Sequence, residues 1–302
     1  NADLAPPDGQ SKEGRVKPWR FKRRHIAETI ARFFMLLSFL IVAASLISIL
    51  WTVLARGLPA LSWQMISQTP KGGYYLGKEG GILNAIVGSL LLALGGTLVA
   101  LIFSLPLALF LETYVMKTRW AKFVRLTLDI LWGIPSIVYG AFGFTLMLAI
   151  GLRASLLGGI IVLALLEIPI MTRAMDEVIR LMPAELSEAS LALGASKLET
   201  AVKITLRQML PGITTATLLA FGRGIGDAAS VLFTAGYTDR IPTSLLSPTA
   251  SLPLAIYFQL GTPYPEVQQR AYASALILTG VVLVISLGSR FLAARLSKYI
   301  NK

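Results

Sequence analysis

The chain has 302 residues, 55% of them hydrophobic and only 15% charged, with 28 Lys and Arg against 16 Asp and Glu and a mean hydropathy of +0.68. A soluble domain carries about a quarter charged residues, so too few charges remain to cover a water-facing surface and lipid must cover part of it. The formal charge of +12 would suit nucleic acid in a soluble chain, but the basic residues cluster at the ends of apolar runs and form no stripe interleaved with aromatics, which excludes a nucleic-acid partner.

Residues 1–32 read as a cytoplasmic tail, polar and disordered over its first 14 residues, followed by a basic anchor from Lys17 to Arg24. The sequence starts at Asn1 rather than Met, which suggests trimming at that end. The first apolar run is too long for a cleavable signal and has no small-residue cleavage site after it. Cys is absent and the single His25 has no partner at ligand spacing, so neither a disulfide framework nor a metal site is expected.

Six apolar runs follow, at 33–54, 82–111, 130–152, 154–172, 206–236 and 271–289. Each is long enough to cross a hydrocarbon core of ~30 Å at ~1.5 Å per residue. The second holds Pro106, the third a Gly133-Ile134-Pro135 break, the fourth Glu167 and Pro169, and the fifth Arg223 and Asp227. Trp51, Trp120 and Trp132 lie near run ends, as belt aromatics do.

Basic residues alternate between connections: Lys117, Arg119, Lys122 and Arg125 in the second, and Arg173, Arg180, Lys197, Lys203 and Arg207 in the fourth. Arg290, Arg295, Lys298 and Lys302 follow the last run, and the remaining connections are poorer in basic residues. The bias of Lys and Arg toward the cytoplasm then places both termini and these two connections inside. The membrane-spanning domain is taken as 33–295, with a cytoplasmic tail at 296–302. The connections 57–81 and 237–269, punctuated by Gly and Pro, read as outer surface loops.

The fourth connection is the most informative. Pro183 suits a first helical turn, Leu186, Ala189 and Leu193 share a face, Glu185 and Glu188 lie toward the positive end, and Gly194 can close the helix in the left-handed region. Such an amphipathic helix at 183–200 can lie on the membrane or dock into a partner's groove.

This stretch resembles the permease signature of ABC importers, Glu-Ala-Ala-three residues-Gly followed nine residues on by Ile-x-Leu-Pro. Here it runs Glu188, Ala189, Ser190, Gly194, then Ile204 and Leu206. Ser190 replaces the second Ala, and Arg207 stands where Pro is usual. The strings Gly80 to Ser89, Gly133 to Gly140 and Arg223 to Asp227 are similar to the PstA-type permeases of the phosphate-specific transport system. The resemblance implies an all-α polytopic membrane protein with six transmembrane helices of the type I ABC importer permease kind. It also implies a coupling helix, built on Glu185, Glu188, Ala189 and Gly194, that inserts into a cleft of the ATPase. The implied partners are a homologous PstC-type permease, two PstB-type ATP-binding subunits and an extracytoplasmic PstS-type phosphate-binding protein, all at the bacterial inner membrane.

Arg223, near the middle of the fifth run, costs about 3 kcal/mol on insertion scales, so it is expected to face a cavity or a partner. Guanidinium matches phosphate oxygens bidentately, and Asp227 one turn on can hold or compete for it. A structural ion pair is the alternative. Phosphate permeases of this kind carry Arg and Glu at these positions, so Asp227 is shorter by one methylene. Gly222 and Gly226 flank the pair at a spacing that suits either close helix packing or room for a ligand. Glu167 reads either as a residue lining the path or as a carboxylate paired with Arg173.

Gly72, Gly77 and Lys78 imitate a nucleotide-binding loop, but Glu79 replaces the Ser or Thr that Mg²⁺ requires. With no nucleophile–base set either, the chain reads as a non-catalytic permease without a cofactor, powered by another subunit. A permease for molybdate or sulfate, or a secondary transporter working without ATP, are the other readings.

Overall fold

The computed structural model describes residues 18–71 and 79–300; the polar tail, the basic anchor with His25, the 72–78 stretch and Lys302 lie outside what is described at side-chain level. Two units are distinguished, Asn1–Thr52 and Val53–Lys302. The first holds most of helix α1 (Pro18–Gly57), whose Phe33, Met35, Leu36, Phe39, Ile47 and Trp51 are all exposed. An apolar surface on every side of a helix suits lipid rather than water.

The second unit is a helical bundle around α3 (Leu83–Thr113), α6 (Leu156–Ile179) and α9 (Leu206–Ile225), with α11 (Pro265–Ile300) against α9. Its core runs along one seam. Leu92 of α3 packs with Ile160 and Leu163 of α6, and Ala100 and Ala108 lie with Ala164, Met171, Met175, Ala216 and Ala220. Small residues there let the backbones approach closely, as membrane helices require when water supplies no driving force between them.

Among the described residues four helical stretches are long and apolar enough to span a membrane: Ile26–Ala60, Leu83–Thr113, Leu156–Ile179 and Pro265–Gly288. A fifth forms if α4 (Arg119–Gly133) and α5 (Ser136–Ala149) make one broken span, bent by 97° at the Gly133-Ile134-Pro135 break. Pro135 cannot donate a backbone hydrogen bond and pushes Ile134 out of the helical region, so the bend falls there.

Two expected boundaries need correction. The run 206–236 is helical only to Ile225; the chain then turns through 226–235, with Ser230, Val231, Thr234 and Ala235 buried. Irregular backbone at that depth survives because protein satisfies it: Ser155 N–H donates to the Thr234 carbonyl at 2.9 Å and Thr249 N–H to that of Ala235 at 2.8 Å. The 237–269 connection is not merely surface loop either. It contains α10 (Leu252–Leu260), capped by Ser251, whose Leu252, Leu254 and Ala255 are buried. Leu252 and Ala255 pack with Met65 of α2 (Trp63–Ser67), Ile82, Ala85 and Ala273, and Leu254 with Leu92 and Leu156, so both long connections fold onto one end of the bundle. The strand pair β1 (Pro70–Lys71) and β2 (Glu79–Gly80) lies within the first of these connections and is antiparallel, Pro70 facing Gly80.

Candidate functional site

α9 stops at Gly226, within the stretch read as one continuous span, and Arg223 and Asp227 flank the stop. Arg223 Nη1 lies 3.2 Å from Asp227 Oδ2. The arginine side chain is 49% exposed and the aspartate 2%. Asp227 Oδ1 also accepts from the Ser230 N–H at 2.8 Å, so the aspartate caps the turn after α9 while its other oxygen holds the guanidinium. Arg223 sits in the last turn of α9, where the negative end of the helix dipole favours a cation. The cavity touching Asp227, lined also by Ser89, Leu163 and Gly224, measures about 10 Å³, enough for about one water. The open side of the pair is therefore the arginine's.

A Cβ at Gly222 would meet nothing within 4 Å, and at Gly226 only α9's own carbonyls, so neither packs against another helix of this chain. Gly224 is the tight position: a Cβ there would lie 1.9 Å from Glu167 Oε1.

Glu167 is fully buried on α6, where its Oε2 accepts from the Thr97 hydroxyl of α3 at 2.8 Å while Oε1 has no hydrogen-bond partner. It has no solvent contact, and Arg173 is not its partner. Arg173 reaches instead to Asp129 (2.6 Å), Asp176 (3.1 Å) and Glu177 (3.5 Å). A further feature lies in the same region. Arg125 of α4 donates from Nε and Nη2 to Asp176 at 2.8 and 2.9 Å, and from Nη2 to Glu112 at the end of α3. Sequence reading missed this cluster, because Arg125 and Asp176 lie 51 residues apart. Its local signal was the spacing of Arg173, Asp176, Glu177 and Arg180 at the end of α6.

The fourth connection forms α7 (Ala184–Ala192), with no buried residue; Glu185, Glu188, Ala189 and Gly194 are all exposed. Gly194 has φ +87°, its N–H donates to Leu191 and that of Ala195 to Ser190, which closes α7 in a Schellman motif. Leu193 is 89% exposed. Ser196 and Glu199 then form a capping box at the start of α8 (Lys197–Glu199), and the Ser196 N–H and hydroxyl hold the Glu199 carboxyl below its ordinary pKa. A π-helical stretch, Thr200–Thr205, leads straight into α9. With Arg rather than Pro at 207 the backbone keeps its N–H there, and the helix runs on. Between α7 and the ends of α3 and α6 lies a cavity of about 240 Å³ that Glu112, Arg180, Ser187, Glu188 and Lys197 help to line.

Residues 104–302, which contain α7, the Arg223 break and the buried arginine cluster, match the family described as "Binding-protein-dependent transport system inner membrane component". The chain belongs to this family. It is 35% identical over 297 residues to the phosphate transport system permease protein PstA 1 of Mycobacterium tuberculosis, covering 93% of this chain and 95% of that protein. It is 33% identical over 277 residues to PstA of Yersinia pestis, covering 92% of each. Among solved structures it is similar to a chain of a bacterial alginate ABC transporter in complex with its alginate-bound periplasmic protein, with a TM-score of 0.60 at 17% identity over 90% of this chain and 98% of that one. A chain of the MetNI methionine ABC transporter, inward facing, matches at 0.59 and 17% identity over 71% and 95%. The fold of this family member is thus that of ABC importer permeases, helical apart from one short strand pair, as the resemblance implied.

Proposed function

We infer that this chain is the permease subunit of an ATP-driven importer of inorganic phosphate, forming half of the path across the membrane. Its relationship over nine-tenths of its length to phosphate permeases supports the substrate. The relatives compared above are named for phosphate, not for molybdate or sulfate. The observation that carries the reading is the half-exposed Arg223 at the break of α9, with its counter-ion buried behind it. An arginine so placed offers free N–H groups toward an incoming anion while Asp227 fixes its position from the protein side. Phosphate oxygens can take those donors in bidentate geometry, and the Asp227 contact restores the resting pair once the anion leaves. Discontinuous membrane helices place ion sites in this way, at ends where backbone and charge converge.

The path needs a second wall, supplied by a homologous permease of the PstC type; Gly222 and Gly226, unpacked in this chain, face that side. An extracytoplasmic PstS-type protein delivers phosphate to the face built from α10 and the β1–β2 pair. ATP hydrolysis belongs to two PstB-type subunits, which dock on α7 through Glu185, Glu188, Ala189 and the turn at Gly194. That face, like both termini, is cytoplasmic. Glu167 and Arg173 act behind the path, Glu167 by joining α6 to α3 through Thr97 and Arg173 by tying α6 to α4.

Arg223→Gln tests the site. ATP-dependent uptake of radiolabelled phosphate should fall at least tenfold while the complex still assembles, and Arg223→Lys, which keeps the charge and loses the bidentate fork, should fall between the two. Wild-type uptake by Arg223→Gln would remove Arg223 from the path.

A further inference from the structure

Beneath α7 three chain segments are joined by charge as well as by apolar contacts such as Leu111 with Ala121 and Ala108 with Met175. Glu112 ends α3, Arg125 and Asp129 belong to α4, and Arg173, Asp176, Glu177 and Arg180 to the last turns of α6. At the centre Asp176 is fully buried and the Arg125 side chain is 10% exposed. Glu112, 8% exposed, is shared: it accepts from Arg125 on one side and lies 3.4 Å from Arg180 Nε on the other. Arg180 caps the C-terminus of α6 and stands three residues before Pro183, where α7 begins. The cavity of about 240 Å³ keeps α7 off the bundle on this side, with Glu112 and Arg180 on its inner wall and Ser187 and Glu188 on its outer one. The root of α7 is therefore tied to α3 and α4 through Glu112.

We propose that Glu112 is a positioning residue for transport: by joining Arg180 to the Arg125–Asp176 pair, it makes α3, α4 and α6 follow α7 as one body. The inference rests on the reading of α7 as the ATPase docking helix and adds the route by which its displacement reaches the membrane helices. Buried ion pairs contribute little net stability, since desolvation offsets attraction, but they fix geometry strongly. A bidentate Arg125–Asp176 contact holds α4 to α6 in one orientation, and a carboxylate shared between Arg125 and Arg180 passes a pull on α7 to both. A chain held there by apolar packing alone could slip as α7 moved into the 240 Å³ space. Glu112→Gln leaves both Arg125–Asp176 hydrogen bonds in place, so it weakens the link without opening the pair.

The test is a double-mutant cycle on the ratio of phosphate imported to ATP hydrolysed, measured on the whole reconstituted transporter. Glu112→Gln should lower that ratio about tenfold, within the range for residues that modulate coupling between sites. Co-purification of the ATPase and thermal unfolding of the complex should stay unchanged. Arg180→Gln, at a 45% exposed side chain that the fold can spare, should do the same, and the double variant should be no worse than either single one. A wild-type ratio in either single variant, or two independent losses that multiply, would overturn the linkage. Glu188→Lys separates this from the docking reading. If it leaves ATPase association intact, docking on α7 fails and the linkage falls with it; if it abolishes association while Glu112→Gln keeps a wild-type ratio, the linkage alone fails.

Discussion

Position 224 admits no side chain while Glu167 stands opposite it, because a Cβ would lie 1.9 Å from a carboxyl oxygen that is itself walled in. Overpacking of this kind costs about 1–3 kcal/mol, and here it would push α9 away from α6 next to Arg223. Gly224→Ala should therefore cut phosphate uptake at least tenfold, and adding Glu167→Ala should restore much of it by vacating the space. An unrescued double variant would show that the glycine serves something other than this contact. Residue by residue, sequence reading reached what is local. Arg223 and Asp227 are four residues apart, so local spacing alone brings them together, even though α9 ends between them. Glu167 meets Thr97 across 70 residues and Arg125 meets Asp176 across 51, and no periodicity within one segment encodes such partners. The pairing of Glu167 with Arg173, plausible from proximity in sequence, gave way to Thr97 of α3 for the first and to Asp129 of α4 with Asp176 and Glu177 of α6 for the second.

Helix starts and stops obeyed their chemical signals where those signals were capping residues. Ser155, Thr118, Ser196 and Ser251 each accept from a backbone N–H at the head of α6, α4, α8 and α10. The Gly133-Ile134-Pro135 break became the 97° bend. The end of α9 at Gly226 was harder to read, because the residues after it are as apolar as those before, and a buried irregular segment has the composition of a buried helix. α10 was hidden among prolines, although Pro253 sits in its first turn, where proline is tolerated. At this scale Gly194 is the sharpest test. Its φ of +87° lies in a region that costs an L-residue roughly 1–2 kcal/mol. Gly194→Val should fray the end of α7 and weaken co-purification of the ATPase severalfold, with Gly194→Asn, which tolerates that region better, much closer to wild type. Equal binding by all three would argue that the ATPase does not read the turn.

As a whole the chain is a permease whose two ends differ in kind. At one end the long connections fold into a cap of α2, α10 and a short strand pair, with α2 and α10 sharing an apolar core with α3 and α11. At the other, an arginine–carboxylate cluster lies beneath a helix that buries nothing of itself. That asymmetry fits a protein that meets a delivery protein on one side and a motor on the other. The class was legible from composition because charge scarcity is a property of the whole chain. The path was not, since on the proposed function half of its wall belongs to another subunit. Uptake of radiolabelled phosphate into liposomes, by the complete transporter and by this chain with its partner permease alone, decides whether the power comes from outside. Uptake should require ATP and the ATPase subunits and should persist under excess sulfate. Transport by the permeases alone, or its abolition by sulfate, would contradict the reading.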